Sequence, residues 1–298
     1  MQYSYSNPEF DLASAYETCR VITRREAKNF YYAFLTLPAA QRRAIYAVYA
    51  FCRHCDDSVD EGTSTEAKVK ALADLQEDLT STYTGQATTP VYVALADVVH
   101  KYDIPQEYFR EIILGVESDL VKNRFQTFEE LREYCYRVAS VVGLVCLQIF
   151  GYEDDAAKKY AVDLGLAMQL TNIIRDVRED FEMDRVYIPQ DEMARFGYSE
   201  DDLKNGVRNQ PFQELIKFQA ERAREYFDKG FKLLPYLSRR SRACPAVLGT
   251  LYSKVLSRIE AADYDVLEVR VSLSKSEKIG ITAKTWLGSM LSLPSSRR

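Results

Sequence analysis

Along nearly all of the 298 residues, apolar side chains recur at three- and four-residue spacing, and no series of short alternating segments bounded by turn dipeptides breaks that rhythm. Only 12 glycines and 9 prolines punctuate it. Such a pattern points to an all-α fold. Pro38 fits the first turn of a helix through "AAQRRAIYAVYAFCRHCDDSVDE", which Gly62 then ends. Further helices are predicted at 65–83, 89–101, 105–120, 127–150, 153–181, 209–233 and 243–268, with Thr127 and Glu130 placed to form a capping box. The two main interruptions, "TSTYTGQATTP" and "EMDRVYIPQDEMARFGYSEDDLKNGVRNQP", lack the character of a flexible linker. The expected organisation is one all-α domain over residues 1–298, with a core from about 20 to 270 and short, less ordered termini.

Composition narrows the function. A net charge of -5 with scattered basic residues offers no field for nucleic acid, so none is expected as a partner. The first residues lack a basic start followed by an apolar run, and the expected location is the cytoplasm. Six cysteines dispersed through apolar segments then read as free thiols that pack as small hydrophobes. The longest uncharged run, residues 138 to 152, is too short to span a bilayer and is expected as a central buried helix.

Two segments carry polar stripes on otherwise apolar helices. At about 100° per residue, Tyr49, Arg53, Asp56 and Asp60 fall within an arc of roughly 60°, with Asp57 at its edge. Gln169, Asn172, Asp176 and Asp180 fall within roughly 80° by the same arithmetic. A single Asp pair at i and i+4 would ordinarily be a solvated face. Like charges one turn apart cost a few tenths of a kcal/mol, however, and a divalent cation supplies a reason to place them twice. Oxygen ligands without histidine or cysteine suit a hard ion such as Mg²⁺, which takes one or two carboxylates plus phosphate oxygens and water. The chain has only two histidines, His54 and His100, and the Cys52–Cys55 CxxC sits inside a helix without a second pair. Zinc or histidine-based chemistry therefore has little to work with, and His54 is expected simply to pack.

The stretches "NFYYAFLTLP", "YAFCRHCDDSVD", "YCYRVASVVGLV" and "QLTNIIRDVREDFEMDRVYIP" resemble the squalene/phytoene synthase family, the head-to-head prenyl diphosphate synthases, from about residue 20 to about 270. The resemblance implies an isoprenoid-synthase helical bundle whose central cavity binds two allylic diphosphates through Mg²⁺, with Mn²⁺ as a substitute. Asp56 and Asp60 match the first metal pair, and Asp176 and Asp180 the second, with Asn172 beside it. Arg53 and Arg175 match arginines next to these motifs. Tyr49, Tyr134, Gln169, Asn172 and Tyr187 match positions lining the reaction site, and Tyr252 an aromatic near the C-terminal end of the cavity. Lys28 and Phe30 match a segment closing over diphosphate, where Asn29 replaces a frequent serine. Arg270 matches a diphosphate-binding arginine only after a one-residue insertion.

The implied chemistry suits these residue types. Metal and Arg53 neutralise a departing diphosphate, and aromatic faces stabilise the allylic cation by about 0.5 to 2 kcal/mol each. The cation attacks the C2–C3 alkene of the second chain, and a proton is lost to give a cyclopropylcarbinyl diphosphate. Gly143, Ala139 and Ser140 either admit the prenyl tails or serve close helix packing.

Within the family, the wording is most similar to bacterial presqualene diphosphate synthases, which join two C15 farnesyl diphosphates. Phytoene synthases, which join two C20 geranylgeranyl diphosphates, are the alternative. A non-catalytic prenyl-lipid-binding or assembly protein is the alternative of another class, disfavoured because all four aspartates are kept. No glycine-rich dinucleotide loop is present, so NADPH is not indicated. The basic clusters "SRRSR" and "SSRR" add an expectation of peripheral membrane contact, and downstream pathway enzymes are further expected partners.

Overall fold

The computed structural model describes residues 11–27, 30–60 and 64–291, the side chain of Asp60 excepted. Helices α1 (Leu12–Glu26), α2 (Phe30–Phe34), α3 (Ala39–Asp60), α4 (Thr65–Tyr83), α5 (Pro90–Lys101) and α6 (Gln106–Val121) form the first half. The second half holds α7 (Phe128–Cys135), α8 (Val141–Phe150), α9 (Ala156–Arg175), α10 (Val177–Glu182), α11 (Gln190–Phe196), α12 (Glu200–Lys204), α13 (Gln210–Gly230), α14 (Ala243–Ala261) and α15 (Lys275–Leu291). Among the described residues there is no strand, and the one β-type pairing is an isolated bridge between Arg124 and Val186. The fold is all-α, as the periodicity predicts.

Local chemistry sets several of the ends. Ser64 caps α4 by accepting from the Ala67 amide at 3.2 Å, and proline opens α5 where its missing N–H is harmless. The predicted box at α7 forms by half: Thr127 Oγ1 accepts from the Glu130 amide at 3.4 Å, but Glu130 turns to the Gln126 amide and to Lys122. A nearby cation outcompetes the reciprocal cap.

Buried aromatics tie the first half together. Phe51 of α3 meets Phe109 of α6 at 5.1 Å and Tyr92 of α5 at 6.0 Å, both edge-on. Each such ring contributes about 1.5–3 kcal/mol by leaving water.

The second half is organised around α9, which packs against α8, α13 and α14. Two glycines permit this. A Cβ on Gly230 would stand 2.7 Å from the Leu164 Cα, and one on Gly165 would stand 2.8 Å from the Ser140 Cα. Gly165 thereby meets residues 136–140, a π turn between α7 and α8 that the sequence gives no sign of. Together α7, the π turn and α8 make a continuous run, Phe128–Phe150, long and apolar enough by itself to cross a bilayer. It exceeds the 15-residue segment seen in the sequence, yet packs among α3, α6 and α9 as a core element.

The helices differ from expectation in three places. The predicted helix 153–181 breaks at Asp176, whose φ of -103° and ψ of 15° separate α9 from α10. The helix predicted to reach 268 ends at Ala261. Regular helices also lie outside the expected core: α1 begins at Leu12 and buries Ala15, Cys19 and Thr23, whereas α15 buries nothing.

Candidate active site

Between α2, α3, α8, α9 and α14 lies a cavity of about 250 Å³ with almost entirely apolar walls. Tyr49 on α3, Gln169 and Asn172 on α9, Phe30 on α2 and Tyr252 on α14 line it, so the structure brings five of the expected site residues together. Phe30 lies 6.3 Å from Tyr49 and 5.9 Å from Tyr252, ring to ring. Ala139 and Gly143 line the cavity, while Ser140 is buried and donates to the Val162 carbonyl at 2.9 Å. Gly143 serves both readings of the small residues, since a Cβ there would also stand 3.0 Å from the Ala161 carbonyl oxygen.

Beyond Asn172, α9 delivers its charged end. Arg175 Nε donates to Asp176 Oδ1 at 2.8 Å, and Arg270, from the segment after α14, reaches the same oxygen at 2.9 Å and Glu179 at 3.1 Å. Burial pushes the Asp176 carboxyl up, but the two guanidinium groups outweigh it and hold it below the usual range. At Asp180 the balance is reversed, although Arg185 and Arg175 pull the other way. Burial first, then the Asp176 charge, push the Asp180 carboxyl up to about 7. Although the helix breaks at Asp176, the ladder of i to i+4 bonds continues through it: the Asp180 amide donates to the Asp176 carbonyl at 2.8 Å, and the Asp176 amide to that of Asn172 at 2.8 Å. The stripe Gln169, Asn172, Asp176, Asp180 is thus kept across a kink.

On α3 the polar stripe continues from Tyr49 past Cys52 to Arg53 and Asp56. Arg53 pairs with Asp57, which gives that edge residue its role, while its Nε is buried without a partner. Asp56 is exposed. Lys28 lies outside the described residues, as does the Asp60 side chain, so the first metal pair is described only in part. His54 packs edge-on to Tyr92 at 5.6 Å, and all six cysteines are free.

Tyr134 and Tyr187 do not line the cavity. Their rings stack at 5.3 Å with hydroxyls 3.3 Å apart, and Tyr187 shares a small recess with Asp180 and Arg185. Burial pushes both phenols well up. The Tyr187 hydroxyl also donates to Asp119 Oδ1 at 3.4 Å. Asp119 escapes sequence reasoning, since nothing marks which acid of "VESDL" turns inward.

Among the described residues, no three His, Cys, Asp or Glu side chains gather as a ready-made ion site. The residues nonetheless fit a hard divalent cation. Asn172 Oδ1 is buried without a hydrogen-bond partner, and Asp180 is a carboxyl whose ionisation a nearby cation would restore. An apolar cavity ending in arginines and carboxylates suits a long hydrocarbon with an anionic head.

Comparison with known proteins gives this arrangement its class. The model of the squalene/phytoene synthase family matches residues 23–277. The chain is 37% identical over 294 residues to a 15-cis-phytoene synthase of Synechocystis, covering 95% of this chain and 87% of that one. It is 38% identical over 280 residues to the 15-cis-phytoene synthase of Synechococcus elongatus, covering 90% and 91%. Among solved structures, a dehydrosqualene synthase superposes with a TM-score of 0.85 at 30% identity, covering 93% of this chain and 98% of the other. The squalene synthase HpnC of Alicyclobacillus acidocaldarius gives 0.81, also at 30% identity, over 85% and 95%. The chain belongs to the squalene/phytoene synthase family, whose members condense prenyl diphosphates head to head and bind diphosphate through Mg²⁺.

Proposed function

We propose that this chain joins two allylic prenyl diphosphates head to head. The observation that carries the proposal is the junction at Asn172: its amide lines the apolar cavity, and one turn on stands Asp176 with Arg175 and Arg270 around it. In this reading Asp56, Asp60, Asn172, Asp176 and Asp180 hold Mg²⁺, which supplies Lewis-acid stabilisation of the leaving diphosphate. Arg53, Arg175 and Lys28 bind phosphate oxygens, and their charge favours the departing anion over the ester. Phe30, Tyr49 and Tyr252 exclude water and present aromatic faces to the allylic cation. Gln169 orients the head group, and Tyr187 stands beside Asp180 with Tyr134 stacked against it. The catalytic unit is a single domain in the cytoplasm, a location that six free thiols suit.

For chain length, the names of the more similar relatives favour two C20 geranylgeranyl diphosphates and phytoene. This reverses the preference drawn from local wording. Two C15 farnesyl diphosphates, giving presqualene diphosphate, remain the second reading, favoured by the squalene and dehydrosqualene synthases among the solved structures. Incubation with each diphosphate separately, with and without Mg²⁺ and NADPH, followed by extraction, tests both. Phytoene from C20 alone supports the first reading, and a cyclopropyl C30 diphosphate from C15 the second. Mg²⁺-dependent release of diphosphate that disappears in Asp56→Ala and Asp176→Ala is expected in either case. No turnover of any allylic diphosphate would overturn the enzyme reading.

A further inference from the structure

Helix α15 is built inside out. By the 100° step, Trp286, Ile279, Met290, Ala283, Leu287 and Leu291 occupy one arc of about 140° that contains no charge and otherwise only Ser276 and Gly280. This is the outer face. Ile279 is 54% exposed, Trp286 41%, Leu287 52% and Leu291 79%, and no residue of the helix is buried. The inward side is largely polar. Arg258 of α14 grips Glu277, Arg242 donates to the Ser289 carbonyl at 2.7 Å, and Thr282 Oγ1 is buried without a partner. Ser274 and Glu277 box the N-terminus, the carboxylate accepting the Ser274 amide at 2.9 Å. A helix that only shielded the core would carry the opposite pattern.

We infer that the outer face of α15 docks on an anionic lipid bilayer. Charge selects this occupant. Lys275 and Lys284 flank the apolar arc at its two edges and are exposed. Arg239 and Arg240 are also exposed, on a turn tied to the C-terminal end of the helix by the Arg242–Ser289 bond. A basic rim around an apolar stripe in a chain of net charge -5 complements acidic headgroups, with the stripe entering the acyl boundary and the long cations reaching back to phosphate. A second copy pairing through the same patch would set those cations against each other. The basic cluster at 238–242 thus acts with α15, whereas the terminal "SSRR" lies outside the described residues. Helix α15 packs on α14 and α2, so docking sets that cavity wall on the lipid side. Only the use of this placement for apolar substrates rests on the proposed function.

The chain's single tryptophan makes the test direct. The full-length protein, without prenyl diphosphate, is mixed with vesicles of phosphatidylcholine alone or with 30% phosphatidylglycerol. We expect Trp286 emission to move to shorter wavelength and the protein to float with the anionic vesicles only. Ile279→Glu/Leu287→Glu, both at exposed sites, lowers vesicle affinity about tenfold or more while far-UV spectrum and melting temperature stay put. Lys275→Glu/Lys284→Glu abolishes the preference for anionic lipid. An unmoved Trp286 emission with no flotation in the parent overturns the inference. So does flotation undiminished by the glutamates, or a concentration-dependent dimer that the same glutamates dissolve while vesicles stay unbound. Because no substrate is present, failure here leaves the proposed reaction standing, and failure of turnover leaves the docking standing.

Discussion

Arg270 and Asp176 meet at 2.9 Å across 94 positions of sequence, and Arg175 holds the same carboxylate from the neighbouring position. The pair closes the charged end of the cavity with a residue from beyond α14. Since Arg270 is 56% exposed, its bond adds little to folding, and its charge is available to an incoming anion. Arg270→Gln is expected to raise the KM for prenyl diphosphate about tenfold, the equivalent of ~1.4 kcal/mol, with kcat changing less. The melting temperature should move by no more than a degree or two. Steady-state kinetics beside a thermal melt check this, and an unchanged KM would remove Arg270 from substrate binding.

Asn172 offers a prediction in which activity and stability part company. Its Oδ1 is buried and lacks a partner, which costs about 1–3 kcal/mol in the folded protein. Asn172→Leu removes that penalty with the same branched shape, its added bulk facing the cavity, at the loss of the 3.3 Å Nδ2 bond to Gln169. The variant should melt no lower than the parent, yet lose at least about a hundredfold in turnover if the amide serves the metal or diphosphate. Retained activity would show the orphaned oxygen to be mere strain.

How much of this was legible beforehand follows from what each feature depends on. Helix α4 appears at its predicted residues, 65–83, because a serine cap and a regular apolar face are local signals. The two stripes were legible for the same reason, as angles along one helix. The break at Asp176 was not, since the apolar pattern runs straight through it and the kink is a property of the packed end of α9. Arg270 needed a contact over 94 residues. Tyr134 and Tyr187 are marked by identity alone, and only the packing of Phe125 and Asp119 around them decides that they turn away from the cavity. Helix α15 escaped because its apolar side faces out, the reverse of what a core-seeking reading looks for.

Gly165 tests the grip on α9. An alanine there places its methyl 2.8 Å from the Ser140 Cα and 2.9 Å from the Ala139 carbonyl oxygen, both backbone atoms that cannot swing away. Gly165→Ala should destabilise by about 1–3 kcal/mol, as overpacking does. It should also lower turnover, because the displaced π turn carries Val138 and Ala139 into the cavity wall. Gly280→Ala, inside α15 with open space around its Cβ, is the control expected to leave turnover unchanged and to gain stability by about 0.4–1 kcal/mol. Denaturant melts and kinetics on the two variants decide it.

The buried ion pair of Arg222 and Glu192 secures α11, which follows directly on the Tyr187 segment. Arg222 Nη1 donates to Glu192 Oε2 at 2.9 Å, Gln219 donates to the same oxygen at 2.6 Å, and the guanidinium stacks 3.8 Å above Phe128. Arg222→Leu leaves the Glu192 carboxylate buried with only the amide, so a loss of about 3–5 kcal/mol is expected. The double variant Arg222→Leu/Glu192→Leu should recover much of it, since no lone charge then remains inside. A double-mutant cycle from urea melts measures the difference, and a double variant as weak as the single one would place the loss in packing instead.

Asp163 supplies a pH dependence away from the candidate site. It sits on the inner part of α9, 9% exposed, with Oδ2 lacking a partner, and burial raises its pKa despite Lys229, Lys159 and Lys232 at a distance. A carboxyl whose folded pKa lies above its unfolded value binds more protons folded than unfolded through that window. Its contribution is therefore most favourable when it is protonated, and it declines as pH rises from the ordinary carboxylate range through the raised folded value. Asp163→Asn keeps the shape and fixes the uncharged state. The variant should gain stability of the order of 1 kcal/mol at pH 8, where the parent must hold a buried anion, and approach the parent as the pH falls toward 4. Melting temperatures of parent and variant across that range test the sign: a gain confined to acid, or a loss at pH 8, would mean that the lysines stabilise the anion after all.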